Sequence, residues 1–257
     1  MTNVSTLIFT CDNNRDISQY VLETAKKLSD LTKVYLVCES FQMQNDLVAN
    51  LQVGKQCSFK QKMIEVLRQV EDEYVFILLD DYYLTKSVDK QWNCYMKVLE
   101  TYRPDYLKIC KDYRARSRTK RISKEVYISK KPDRYDVNFH PSIWKKETLL
   151  FCLLENCKDD IRHIESFFSK YMRESKRNVF YINKYFLPYV ELIVCGKFFR
   201  KPFKQYLKPT YEGNRKTCTL LFEIDYKVKK FISQRLPKKF LSAIKRIFFK
   251  NKEFYSE

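Results

Sequence analysis

Three short apolar runs near the start of the chain each stop at side chains able to do chemistry. Residues 5–11 (STLIFTC) lead into Thr10, Cys11 and Asp12, residues 33–38 (KVYLVC) into Glu39 and Ser40, and residues 74–79 (YVFILL) into Asp80 and Asp81. In an open α/β sheet, ligands bind beyond the carboxyl ends of the strands. If the three runs are parallel neighbours, these groups gather along one rim. Carboxylates gathered in this way suit a hard divalent cation such as Mg²⁺ or Mn²⁺. Such a cation can neutralise a bound diphosphate. Adjacent side chains on a strand face opposite ways, so only a turn lets Asp80 and Asp81 reach one ion.

Composition narrows the chemistry further. The 257 residues are enough for one large α/β domain or one domain with an appended tail. Hydrophobic residues make up 45% and aromatics 16%, which is ample for a packed core and excludes wholesale disorder. Only Gly54, Gly196 and Gly213 are glycines, so a Gly-rich phosphate loop cannot be built. A bound nucleotide must then be held by a metal or by side chains. The nine cysteines (at positions 11, 38, 57, 94, 110, 152, 157, 195 and 218) form no CxxC, and with two histidines a Cys/His zinc site has little support. The N-terminus has no basic segment followed by a long apolar run, and no stretch reaches the roughly 18 apolar residues needed to cross a bilayer. A cytoplasmic setting with reduced thiols is expected.

Hydrophobic spacing orders the elements that must position the rim. Helical spacing recurs over residues 17–29, 59–70 and 89–102, with the apolar runs between them reading as strands. Strand, helix, strand, helix, strand predicts an α/β fold with a mainly parallel central sheet flanked by helices. Residues 106–110 read as a further strand, the charged stretch 111–136 as a loop and hairpin, and residues 141–154 as a helix containing Trp144. A second helix over 160–171 and strands at 179–182 and 189–194 follow. The formal charge of +18 is concentrated near the end: residues 226–252 hold ten Lys/Arg and no Asp/Glu.

The segment CSFKQKMIEVLRQVEDE–YVFILLDDYYL resembles the donor-site region of bacterial GT-A-type glycosyltransferases for surface polysaccharide, lipopolysaccharide or capsule. VNFHPSIWKKETLL, DDIRHIESF and PYVELIVCGKFFRK are similar to later segments of the same family, in the same order across residues 5–200. The resemblance implies a GT-A fold, a nucleotide-diphosphate sugar as donor and transfer to a growing glycan. By the same resemblance, Asp81 is the main metal or diphosphate contact and Asp80 lies near the ribose or a metal-bound water. Thr10, Asp12 and Glu39 hold the nucleobase and ribose, and Ser58 lies near the donor. Glu165 takes the acceptor proton as general base, with inversion at the anomeric carbon, and the metal stabilises the leaving diphosphate. Two departures stand out: Tyr82 and Tyr83 follow the acidic pair in place of an Asp-x-Asp motif, and His163-Ile164 replaces the usual Trp before the Glu.

His140, in the loop NFHPSIW, is a further ligand contact, and Lys197 is a candidate for the phosphates. His163 is expected on an exposed helix face, and Trp144 either stacks on a sugar or belongs to the core. The domain is expected over 1–222, with 223–257 as a basic tail. Within that tail, Phe240, Leu241, Ile244, Ile247 and Phe248 recur at helical spacing among lysines. A basic amphipathic C-terminal helix of this kind docks on an anionic membrane surface, here the cytoplasmic face of the inner membrane, where a lipid-linked acceptor resides. Three rival readings are a basic nucleic-acid-binding protein using KDYRARSRTKR, a nucleotidyltransferase, and an inactive binding module. No nucleic-acid motif supports the first, and CDNNRDIS is a poor substitute for the Gly-rich loop of the second.

Overall fold

All six residues of VSTLIF are buried, as a strand must be when neighbours cover both its edges and helices both its faces. This strand, β1 (Val4–Phe9), is followed by α1 (Ser18–Lys26), β2 (Lys33–Cys38), β3 (Ala49–Gln52), α2 (Phe59–Gln69) and β4 (Tyr74–Leu79). Then come β5 (Tyr82–Leu84), α3 (Asp89–Tyr102), β6 (Tyr106–Lys108), β7 (Thr119–Arg121), β8 (Val126–Ser129) and β9 (Ser142–Lys145). The chain continues through α4 (Lys146–Glu155), α5 (Ile161–Glu174), β10 (Val179–Ile182), β11 (Tyr189–Glu191), β12 (Ile193–Val194) and β13 (Lys197–Phe198). Among the described residues the last elements are α6 (Arg200–Pro202) and α7 (Leu220–Arg235). The computed structural model describes residues 2–43, 45–111, 119–129, 131–133, 136–155 and 158–235.

Nine strands form the central sheet in the order β3-β2-β1-β4-β9-β6-β10-β8-β7. The first four are parallel neighbours, β10 is parallel to β6, and β9 and β8 run against their neighbours. The fold is therefore α/β with a mainly parallel central sheet. Alternation along the strands divides the core into two layers. Val4, Ile8, Phe76 and Leu78 face α1 and α3, while Leu7, Phe9, Val75 and Ile77 face α2, α4 and α5. Chain order leaves β1 toward β2 and β3 and returns to β4 on its other side, so the topology switches direction beside β1.

Several elements differ from the sequence expectation, β3 and β9 among them. The strand β3 has the mixed sequence ANLQ and only partly buried side chains, so no apolar run marks it as the sheet edge. Trp144 lies on β9, not on a helix: residues 142–145 pair with both β4 and β6, and α4 begins only at Lys146. Its indole is fully buried against Tyr106 and Phe168 and donates to Ser142 Oγ at 3.0 Å. The core role holds, and sugar stacking is ruled out by burial. The helix α7 runs through the 222/223 boundary, with Glu223 buried and bonded to the Arg200 N–H. Residues 112–118 of the basic segment and the amphipathic stretch from Pro237 lie outside the described residues. No helix among those described is long and apolar enough to cross a membrane.

Candidate functional site

Backbone bonds stitch the three strand ends side by side. Thr10 N–H donates to Val37 at 2.9 Å, and Asp80 N–H donates to Phe9 at 3.0 Å. Thr10, Glu39 and Asp80-Asp81 therefore emerge together at the topological switch, where ligands of such sheets sit. A cleft of about 620 Å³ opens over them, a size suited to a nucleotide-sized ligand. Its walls include Thr10, Cys11, Asn14, Glu39, Asp80 and Asp81 from the rim, Lys62 from α2, and His140 and Glu165 from the opposite side. Glu191, Ile193, Val194, Cys195 and Tyr226 close the remaining flank. The hairpin of β12 and β13 turns there through Cys195 and Gly196, both at positive φ (48° and 71°), as a two-residue loop of the primed type requires.

The rim side chains are held in place before any ligand arrives. Glu39 accepts the Asp12 N–H at 2.9 Å and pairs with Lys62. Asp12 turns its carboxylate outward to Ser40 and to Lys55, so it supports the rim without lining the cleft. Both Asp80 oxygens accept from Asn14 Nδ2 at 3.0 Å. Burial pushes the Asp80 carboxyl above its usual value, against the opposing hydrogen bonds from the Asn14 amide. Burial and then the Asp80 and Glu39 charges raise the Cys11 thiol, keeping it a neutral wall group and not a nucleophile.

Across the cleft, Glu165 Oε1 accepts the Phe139 N–H at 2.9 Å, which fixes the carboxylate relative to the His140 loop. His140 Nδ1 lies 3.0 Å from the Tyr82 hydroxyl. Burial, followed by the Asp81 charge, holds that phenol far above its ordinary range, so it stays protonated. It can thus donate to His140. His163 is exposed and pairs with Asp160, as expected of the outer face of α5.

Besides Asp12, two more of the predicted contacts lie outside the lining. Ser58 caps α2 in a reciprocal box with Gln61 and positions the helix that carries Phe59 and Lys62. Lys197 is exposed on β13, beside the cleft-lining Cys195 but not in the lining itself. Asn14, Lys62 and Glu191 were missed. Asn14 sits in the helical turn that follows β1 and Lys62 in the first turn of α2, positions readable in the sequence, whereas Glu191 is placed by the pairing of β11 with β5.

The metal expected between Asp80 and Asp81 does not fit this donor set. The two Asp80 oxygens are already turned to an amide donor. Among the described residues no group of three His, Cys, Asp or Glu side chains converges as ligands.

No family model matches the chain, and no curated protein matches it. Among solved structures it is similar to the mannosyltransferase PcManGT from Pyrobaculum calidifontis in complex with GDP-Man and Mn²⁺ (14% identity, TM-score 0.49, 69% of this chain and 53% of that one). It is similar to S. aureus TarS 1–349 (16%, TM-score 0.44, 70% and 60%). A UDP-glucose pyrophosphorylase complexed with UDP-glucose is also similar (10%, TM-score 0.46, 71% and 90%). The chain thus spans little more than half of the first two. With TM-scores below 0.5, these likenesses decide neither activity nor ligand.

Proposed function

We propose that the chain is a glycosyltransferase that moves a sugar from a nucleotide-diphosphate donor to a hydroxyl of a growing surface glycan. The observation that carries this reading is the convergence of Glu39, Asp80, Asp81 and Glu165 on one cleft at the carboxyl ends of parallel strands. Thr10 and Glu39 face the nucleoside, with Asp12 supporting Glu39 from behind. Asp80 holds Asn14 on the wall, and Asp81 stands at the sugar-phosphate end. The acceptor oxygen attacks the anomeric carbon as Glu165 takes its proton. The bond from that carbon to the diphosphate oxygen breaks, and the nucleoside diphosphate leaves with inversion. Lys62 and His140 are the cation and the polar donor that the walls themselves offer to the departing charge.

The acceptor is taken to be lipid-linked lipopolysaccharide or capsule glycan at the cytoplasmic face of the inner membrane. In support, ten Lys/Arg and no Asp/Glu occupy residues 226–252. The exposed Leu221, Ile224 and Val228 also form an apolar stripe on α7, leading into that tail. Such a helix lies on an anionic bilayer surface.

A thermal-shift panel of UDP-, GDP-, CMP- and dTDP-sugars, each with Mn²⁺ and with a chelator, tests the donor assignment. One donor class is expected to stabilise the protein by about 2.7 kcal/mol at a hundred times its Kd, equally in Mn²⁺ and chelator. No response to any member sinks the reading. Glu165→Gln is expected to keep donor binding while slowing transfer about 10²- to 10⁴-fold, the usual weight of a general base.

A further inference from the structure

A cation with several partners behind the cleft comes from the loop before α7. Arg215 is only 11% exposed and lies behind the rim. Its Nε and Nη2 grip the two oxygens of Asp16 at 2.9 and 2.6 Å. Nη2 also donates to the Asn13 carbonyl at 2.6 Å and to Asn14 Oδ1 at 2.9 Å. This last bond fixes the Asn14 amide: with Oδ1 turned to the guanidinium, Nδ2 must point the other way. That is where it meets both oxygens of Asp80. Arg215, Asn14 and Asp80 therefore form a directed chain of hydrogen bonds from the C-terminal loop to the cleft wall.

We propose that Arg215 is a positioning residue: through Asn14 it holds Asp80, and with it the rim of the cleft, in the geometry that binds the donor. The inference rests on the glycosyltransferase reading of that cleft. The planar fork grips both Asp16 oxygens through Nε and Nη2 and so aims Nη2 at Asn14, whereas a lysine ammonium carries the charge without that bidentate grip. Tyr211 provides the control. Its hydroxyl donates to Asp16 at 2.6 Å and accepts the Arg215 N–H at 3.0 Å, so it tethers the same loop without touching Asn14.

The test is calorimetric binding of UDP-glucose, GDP-mannose, dTDP-glucose and a CMP-linked sugar to the full chain and its variants, with Tm measured alongside. Arg215→Lys and Asn14→Ala are each expected to weaken the donor that binds by about ten- to a hundredfold, the scale of a small misplacement. The double variant is expected to be no worse than the weaker single one. Tyr211→Phe is expected to lower Tm while leaving donor affinity within about twofold. Equal affinity in wild type, Arg215→Lys and Asn14→Ala overturns the inference and leaves the glycosyltransferase reading intact. So does a Tyr211→Phe loss as large as that of Arg215→Lys, which would make Arg215 a loop tether only. If no sugar nucleotide binds the wild type, the reading falls and this inference with it. Should Arg215→Lys fail to fold, Asn14→Ala and Tyr211→Phe decide the outcome by themselves.

Discussion

The four parallel strands β3-β2-β1-β4 and the C-terminal wrap over residues 189–218 border the same cleft, yet different forces hold them. In the sheet, β1 and β4 are buried almost throughout, and apolar side chains from both faces fix their positions. The wrap is built from strands of two or three residues, a turn at positive φ and a π-helical turn at Phe203–Leu207. Polar tethers complete it. Tyr20 donates to the Leu207 carbonyl at 3.1 Å, Gln19 to Thr210 at 3.2 Å, and Tyr211 and Arg215 both bind Asp16. Burial is spread over many contacts, whereas a tether concentrates its effect in one group. The two halves of the rim should therefore fail in different ways.

The largest expected effect lies in the sheet. Trp144→Ala should cost about 3–5 kcal/mol of stability, the usual range for emptying a buried Trp site, read as a fall in the urea midpoint. A cost below about 1 kcal/mol would break the contrast. In the wrap, Tyr211→Phe removes a bond to a charged carboxylate and should cost about 1.5–3 kcal/mol. Hydrogen exchange should rise in residues 208–218 and stay unchanged in β1 and β4.

Acid sharpens the same division. Burial alone would raise the Asp16 carboxyl, but the hydrogen bonds from Arg215 and Tyr211 outweigh it and hold the group below its ordinary 3.8. A depressed carboxylate adds stability above its unfolded value and loses it as pH falls through the folded one. Exchange protection of the wrap is therefore expected to fade as pH drops below about 3.8, ahead of that of the sheet. The smallest change is Ser58→Ala, which removes the cap of α2 and should cost about 1 kcal/mol. The measurable signature is fraying confined to the first turn of that helix.

Much of the parallel sheet was legible from residue order alone. YVFILL and KVYLVC are strands over the expected ranges because a strand buried on both faces needs an unbroken apolar run, and polar residues stop it. The rim was legible for the same reason: the first polar residues after such strands must emerge at one sheet edge. Ser58 could be read as lying near the donor, but its adjacent Phe59 and Lys62 line the cleft while the serine caps their helix. The ambiguity of Trp144 ended only when β9 inserted between β4 and β6, a pairing of segments distant along the chain.

By itself, the amino-acid sequence determined the α/β alternation, the acidic strand ends and the absence of a Gly-rich phosphate loop, because these follow from local pattern and composition. The tertiary structure alone decided which way each carboxylate turns. Asp80 faces Asn14, and Asn14 faces an arginine 201 residues further on. Hydrogen-bond direction depends on which groups meet in space, and no periodicity along the chain records a meeting between the turn after β1 and the loop before α7.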